Sequence, residues 1–184
     1  MGSNRSGAPA RLRRVVTFEI GAGAVTASEI ELRGSETRVL RQGRAPVADD
    51  IWENLTGRRD ELTQAIRSAA SAAGVRSKQA AVVIPRRYVT VKYARLPQAS
   101  ADQIAGMVRY EAQQYVPFAI DEAVLDHQII PDAGDDMTTV MIVAARKSLV
   151  SDLLAAFDRA SINITHVSVS SLALAEHVRS EPMP

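Results

Sequence analysis

A turn containing two glycines directly follows an apolar, strand-favouring run near the start of the sequence. The run covers residues 15–20, and Gly21 and Gly23, which can take positive φ without steric cost, come next. Residues 25–32 then alternate between the two faces of a second strand, so the segment predicts a hairpin. In several nucleotide-binding folds such a turn presents backbone N–H groups to a phosphate. Phosphate binding is therefore the first chemistry to consider.

The dinucleotide-binding fingerprint does not fit this turn. Its sixth position is occupied by Thr26 where a glycine or alanine is required, and the segment leads into a strand instead of a helix. Other catalytic patterns are equally poor, since no Gly-x-Ser-x-Gly elbow occurs and the chain has no cysteine. We therefore predict that the protein is not an enzyme.

The remaining polar residues also favour solvated or structural roles. No short ligand spacing links the three histidines, so a metal site is not predicted. The adjacent acidic pairs at 121–122 and 135–136 fall in predicted loops and do not form facing carboxylates. The basic pairs at 58–59 and 86–87 lack interleaved aromatic residues, which argues against a nucleic-acid groove. The histidines are His127, His166 and His177.

The composition is that of an ordinary globular domain. Of the 184 residues 46% are hydrophobic and 23% charged, and a net charge of +1 gives no global attraction to nucleic acid. No stretch approaches the roughly 18 apolar residues that span a bilayer. Residues 1–14 lack the apolar segment of a signal peptide and predict a disordered arm. Weak contact of its arginines with anionic lipid is the alternative.

The first predicted unit has the order β-β-β-α-β. After the hairpin, residues 36–44 predict a third strand, reached through a short turn at 34–35. An apolar stripe at helical spacing over residues 60–73 predicts a helix that Gly74 ends. Residues 80–84 form a continuously apolar run, which is typical of a strand inside a sheet.

The second predicted unit has the order β-α-β-β-α-β, as in a ferredoxin-like sandwich. Ser100 and Gln103 predict a capping box at the start of a helix whose apolar face extends to Tyr115 and which Pro117 ends. The second helix is predicted to bury a stripe that includes Leu154. A last helix from residue 170 or 171 to 178 follows the unit. The other predicted segments are strands at 88–97, 123–130, 138–145 and 162–169 and a helix at 148–160, with a polar turn at 132–136.

Four blocks of the sequence carry a family resemblance, at 109–118, 124–129, 143–147 and 167–175. They resemble PilM, the actin-like cytoplasmic protein of the type IV pilus inner-membrane platform. The most specific block is 109–118, which is similar to a helix-ending motif of that family. Order and spacing agree from about residue 15 to residue 178, and the other three blocks support the resemblance.

The resemblance implies an α/β, actin-like (ribonuclease H-like) fold. Residues 15–85 plus 165–180 would form subdomain 1A, and residues 86–164 an inserted subdomain 1C like that of FtsA. A full actin-like ATPase needs a second half to complete its cleft, and the chain ends at Pro184, about where that half should begin. The expectation is a truncated chain or a naturally reduced relative.

The resemblance also bears on the glycine turn. Gly21 and Gly23 are kept, but Glu19 stands where the family carries Asp, and Thr26 stands where it usually carries Lys. We therefore expect a degenerate phosphate loop and no cofactor, with ATP and Mg²⁺ bound only if a second half exists. The alternative is an ATP-binding switch or ATPase that lacks its second half.

For partners, the resemblance points to the block around Tyr115, Pro117 and Phe118. With Tyr88 and Tyr93 nearby in chain order, it is expected to border the groove that takes the N-terminal tail of the membrane protein PilN in PilM-like proteins. The alternative is that these are core and helix-ending residues. The implied function is a non-catalytic cytoplasmic scaffold peripheral to the inner membrane; a type II secretion scaffold and self-association stay open.

Overall fold

The computed structural model describes residues 13–33, 36–130 and 137–170. It shows a mixed α/β protein in which the described strands form two sheets. The elements up to the fourth strand are β1 (Arg13–Ile20), β2 (Ala24–Arg33), β3 (Glu36–Pro46), a 3-10 helix (Ile51–Asn54), α1 (Arg59–Ala73) and β4 (Gln79–Ile84). The later elements are a 3-10 helix (Arg86–Tyr88), β5 (Val89–Pro97), α2 (Ala101–Ala112), a 3-10 helix (Ile120–Glu122), β6 (Ala123–Ile130), β7 (Met137–Arg146), α3 (Lys147–Arg159) and β8 (Asn163–Val169).

The five-stranded sheet has the order β3-β2-β1-β4-β8. The predicted hairpin is confirmed, because β1 and β2 pair antiparallel with Phe18 opposite Ala27. β4 runs parallel to β1 and lies inside the sheet, as its continuously apolar run predicts. Phe18 is fully buried and meets the ring of Phe157 edge-on at a centroid distance of 5.1 Å. This aromatic pair marks the core of the first sheet.

Helix α1 packs closely against β3 at Gly43. A Cβ atom on Gly43 would lie 2.2 Å from the backbone nitrogen of Ala73 and 2.5 Å from the carbonyl oxygen of Ala69. Only the absence of a side chain allows this approach. The helix ends at Gly74, whose φ of +64° confirms the predicted glycine cap.

The three-stranded sheet has the order β5-β7-β6, with both pairs antiparallel. Helix α2 covers one face of it, and the predicted capping box is present, with the Ser100 N–H donating to Oε1 of Gln103 at 3.0 Å. The buried residues of this core come from both sheet and helix: Leu96, Ile104, Val108, Ala112, Val140 and Ile142.

The prediction of a β-α-β-β-α-β sandwich, made from the strand pattern, is wrong in its last strand, whereas the family resemblance implied that residues 165–180 belong with residues 15–85. β8 lies next to β4 in the five-stranded sheet and not in the sheet of β5–β7. The Asn163 N–H donates to the carbonyl oxygen of Lys78 at 2.7 Å, and Thr165 Oγ1 donates to that of Ala80 at 3.3 Å. Since β4 is an interior strand that pairs with β1 on one side, its other side needs a neighbour, and β8 supplies it.

Two predictions of burial are also wrong. Helix α2 ends at Ala112, and the chain continues in tighter turns in which the Tyr115 N–H donates to the carbonyl oxygen of Ala112, so that 43% of Tyr115 is exposed. On α3, Leu154 is 38% exposed. It follows Leu153 directly and is therefore rotated by about 100° from the stripe that buries Leu153 and Phe157.

The chain divides into two compact units. One comprises the described residues up to Val83 together with those from Ala155 onward, and the other is Ile84–Leu154. The predicted turns at 34–35 and 132–136 and the predicted helix after residue 170 lie outside the described residues. Within those residues, no helix is long and apolar enough to cross a membrane.

Candidate functional site

The glycine turn closes the β1–β2 hairpin tightly. Glu19 and Thr26 lie directly opposite each other in the ladder, and the Gly21 N–H donates to the carbonyl oxygen of Ala24 at 2.9 Å. Only Gly23 of the two glycines has a positive φ, at +75°. The Gly21 N–H is therefore occupied by a hydrogen bond within the turn. Gly23 is the glycine whose positive φ requires the absence of a side chain.

A carboxylate lies against the turn. A Cβ atom on Gly23 would be 2.8 Å from Oδ1 of Asp49, and the carbonyl oxygen of Gly23 accepts a hydrogen bond from the Val47 N–H at 3.1 Å. A negative charge beside the loop disfavours a phosphate at the same place. Sequence reasoning missed Asp49, because the loop that carries it is distant in the chain and shows no motif.

The aromatic residues predicted to bind a partner lie on the second unit, and three of them, Tyr88, Tyr115 and Phe118, have a cation over the ring. The ammonium of Lys92 lies 5.0 Å from the ring centroid of Tyr115, and the guanidinium of Arg146 lies 4.4 Å from that of Phe118. Such contacts contribute about 0.5–1 kcal/mol at exposed sites. We call Tyr115, Pro117 and Phe118 the aromatic corner.

Both cations project from the face of the three-stranded sheet that α2 covers. Lys92 lies on the same face of β5 as Ala94 and Leu96, which pack against α2. On β7, Arg146 lies on the same face as Ile142, which also belongs to this core. Neither cation was singled out from the sequence. The alternation of residues along β5 and β7 was the only sequence signal for the position of these two cations, since Arg146 and Phe118 are far apart in the chain.

Ion pairs fix the surroundings of Phe118. Nη1 of Arg146 lies 3.1 Å from Oε2 of Glu122, and Lys147 Nζ donates to the carbonyl oxygen of Asp121 at 2.6 Å. Arg109 at the end of α2 pairs with the Asp121 carboxylate. Asp121 and Glu122, predicted to be solvated turn charges, therefore hold basic side chains beside the aromatic corner. A depression of about 380 Å³ opens here, lined by Asp121, Glu122, Arg146, Lys147 and Ser148.

The other tyrosines are placed differently. Tyr88 lies in a 3-10 helix directly before β5, with the Arg87 guanidinium 4.8 Å from its ring centroid. Tyr93 is 63% exposed and, by strand alternation, lies on the face opposite to Lys92. The structure thus brings Tyr115 and Phe118 into similar cation-stacked settings and leaves Tyr93 on another surface.

No metal site emerges from the part of the chain that the structure describes. His127 lies on β6, His166 on β8 has its Nδ1 3.0 Å from Oγ1 of Thr165, and His177 is outside the described residues. Within the described ranges, no group of three or more His, Cys, Asp or Glu side chains could hold a metal ion.

The comparisons with known proteins give the class to which the chain belongs. The model of the family "Type IV pilus assembly protein PilM" matches residues 18–182, and the chain belongs to this family. No curated protein matches it.

Two solved structures share the fold. A chain of the PilM–PilN type IV pilus biogenesis complex superposes with a TM-score of 0.76 at 24% identity, covering 86% of this chain and 48% of that one. The cytoplasmic domain of EpsL, an inner-membrane component of the Vibrio cholerae type II secretion system, gives 0.54 at 12% identity, covering 94% and 60%. The chain therefore spans about half the length of the PilM-complex chain.

Proposed function

We propose that this chain is a non-catalytic scaffold of type IV pilus assembly that binds the N-terminal cytoplasmic tail of a PilN-like membrane protein. Family membership supports the pilus role, and the similarity to a chain of a PilM–PilN complex supports the partner. In this proposal the chain is cytoplasmic and peripheral to the inner membrane. In it, the first unit corresponds to actin-like subdomain 1A, and the second unit, Ile84–Leu154, corresponds to the inserted subdomain 1C.

The observation that carries the proposal is the aromatic corner. Tyr115 is 43% exposed although its ring is already stacked with Lys92, so part of the ring is presented to a partner and the stack favours one orientation of it. A pre-positioned aromatic side chain loses little conformational entropy when a partner covers it. Recognition of an extended tail needs such apolar contacts together with a few polar anchors.

The polar anchors come from the charged residues next to Phe118. The depression beside it contains two carboxylates and two cations within one small area. An amide-rich main chain can donate to the carboxylates and accept from the cations. Both requirements for binding an extended peptide are therefore met on the second unit alone.

No catalytic step is part of the proposal. Glu19 and Thr26 face each other across the hairpin, the Gly21 N–H is occupied, and Asp49 lies against Gly23. These features support a structural hairpin in place of a working phosphate loop.

Calorimetric titration with a synthetic peptide of the PilN-like N-terminal tail tests the proposal. We expect binding to the unaltered chain and an affinity reduced at least about tenfold in Tyr115→Ala and Phe118→Ala, since truncating a hot-spot aromatic contact costs about 2 kcal/mol or more. Tyr110→Ala is the matched control, because Tyr110 is 69% exposed on the neighbouring helix α2. No heat with the unaltered chain, or an equal loss in the control, would contradict the proposal.

A further inference from the structure

A cationic cavity of about 370 Å³ lies in the first unit, away from the glycine turn. Its lining is Arg14, Glu29, Arg41, Gly74, Arg76 and Ser77. Arg14 is near the beginning of β1, whereas the glycine turn follows the end of that strand. The cavity therefore lies at the opposite end of the hairpin from the predicted phosphate loop.

Two of the three arginines contact neighbouring residues but keep unused N–H donors. Nη1 of Arg41 donates to the carbonyl oxygen of Gly74 at 3.1 Å, and its Nε lies 3.6 Å from Oε2 of Glu29. Nε of Arg14 lies 3.6 Å from Oε1 of Glu31. These separations exceed the about 2.7–2.9 Å of a charge-assisted hydrogen bond. Because a guanidinium carries five N–H donors, both side chains keep donors for a further acceptor.

Arg76 supplies the third guanidinium. It makes no hydrogen bond and no ion pair with another residue in the ranges that the structure describes. Its position follows the end of α1, two residues after Gly74. Three guanidinium groups and one carboxylate line the cavity, so the lining groups carry a formal charge of +2 in a protein whose total is +1.

We propose that this cavity binds a phosphate group, either of a soluble phosphomonoester or of a lipid headgroup. A phosphomonoester carries about −1.5 to −2 charges at pH 7 and presents three acceptor oxygens, which matches the charge and the unused donors of the lining. Guanidinium groups bind phosphate through paired N–H donors. The volume is at the lower end of the about 300–1,000 Å³ of small-molecule sites, so the phosphate can bring its attached group with it.

Titration of the full chain with inorganic phosphate and with glycerol phosphate, followed by amide NMR in low-salt buffer, tests the site. We expect saturable shifts centred on residues 74–77 and a dissociation constant raised about tenfold in Arg76→Gln, because the variant loses a charge-assisted hydrogen bond to the phosphate. Arg44→Gln is the matched control. Arg44 is an exposed arginine on β3, the strand that carries Arg41, but it does not line the cavity.

Vesicles separate the two sources of phosphate. Phosphatidylcholine vesicles with and without phosphatidic acid are sedimented with the unaltered chain, Arg76→Gln and Arg44→Gln. Binding that needs phosphatidic acid and Arg76 identifies a lipid headgroup, and binding of glycerol phosphate without vesicle binding identifies a soluble ligand. Both results support the phosphate site.

Two results would overturn it. One is the absence of local shifts at tens of millimolar of either phosphate compound. The other is an equal loss of affinity in Arg44→Gln and Arg76→Gln, which would show a diffuse charge effect that salt screens. Arg14→Gln is the second site variant, and thermal unfolding of each variant verifies that the first unit is folded.

Discussion

The indole Nε1–H of Trp52 donates a hydrogen bond of 2.9 Å to the carbonyl oxygen of Ile20. Both residues are buried, Trp52 at 4% and Ile20 at 1% exposure. The bond attaches the 3-10 helix at Ile51–Asn54 to the last residue of β1, immediately before the glycine turn. One side chain thus positions the loop that bears Asp49 against Gly23.

Replacing Trp52 by Phe is expected to lower the free energy of unfolding by about 1–3 kcal/mol, because the carbonyl oxygen of Ile20 loses its buried donor. Urea unfolding followed by circular dichroism measures the change, since Trp52 is the only tryptophan and its fluorescence is lost in the variant. Tyr110→Phe, which alters an exposed ring, serves as the control. An unchanged midpoint in Trp52→Phe would contradict the assigned role.

A methyl group at Gly43 is expected to destabilise the first unit by at least about 1–3 kcal/mol, because the clash is with the backbone of α1, which cannot rotate away. Gly106→Ala gives the opposite expectation. Gly106 lies on α2 with nothing within 4 Å of an added Cβ, so the substitution should stabilise the chain by about 0.5–1 kcal/mol. Differential scanning calorimetry compares the two, and a Tm shift of the same sign in both would refute the packing argument.

The two glycines of the hairpin are expected to respond differently to alanine. Gly23→Ala should cost about 1–2 kcal/mol for left-handed backbone alone, and Oδ1 of Asp49 must also move. Gly21→Ala should have little effect, because its nearest neighbour atom would be 3.8 Å from the new Cβ and its φ is not positive. The denaturant midpoints of the two variants measure the difference. An equal loss of stability in both would contradict the conclusion that only Gly23 needs a left-handed backbone.

MgATP at millimolar concentration is expected to leave the thermal midpoint of the chain unchanged. A site with a dissociation constant tenfold below the ligand concentration would add about 1.4 kcal/mol, which a thermal-shift measurement detects. Asp49 beside Gly23 and the uncharged Thr26 hydroxyl, where the resemblance implies a Lys, give the physical reason. A rise that disappears in Gly23→Ala would restore the phosphate-loop alternative.

Elements that depend on neighbouring residues could be predicted from the sequence. The hairpin, the glycine cap at Gly74 and the capping box at Ser100 are local patterns, and each is confirmed. The interior position of β4 followed from its apolar run alone.

The features that the sequence patterns did not predict depend on contacts between segments that are distant in the chain. The pairing of β8 with β4, the approach of Asp49 to Gly23 and the stacking of Arg146 on Phe118 are decided by tertiary contacts between remote parts of the chain. The exposed ring of Tyr115 was missed for a related reason. The turns after Ala112 take the residue off the helical stripe on which its spacing had placed it.

The sheet position of β8 also constrains the order in which the molecule can be assembled. Its neighbour β4 ends at Ile84, and the whole of the Ile84–Leu154 unit is translated before β8 leaves the ribosome. Until then β4 has an open hydrogen-bonding edge, and closing the long loop between the two strands carries an entropic cost that falls if the intervening residues have already folded. Folding of the Ile84–Leu154 unit before β8 emerges would therefore shorten the search by which the first sheet is completed.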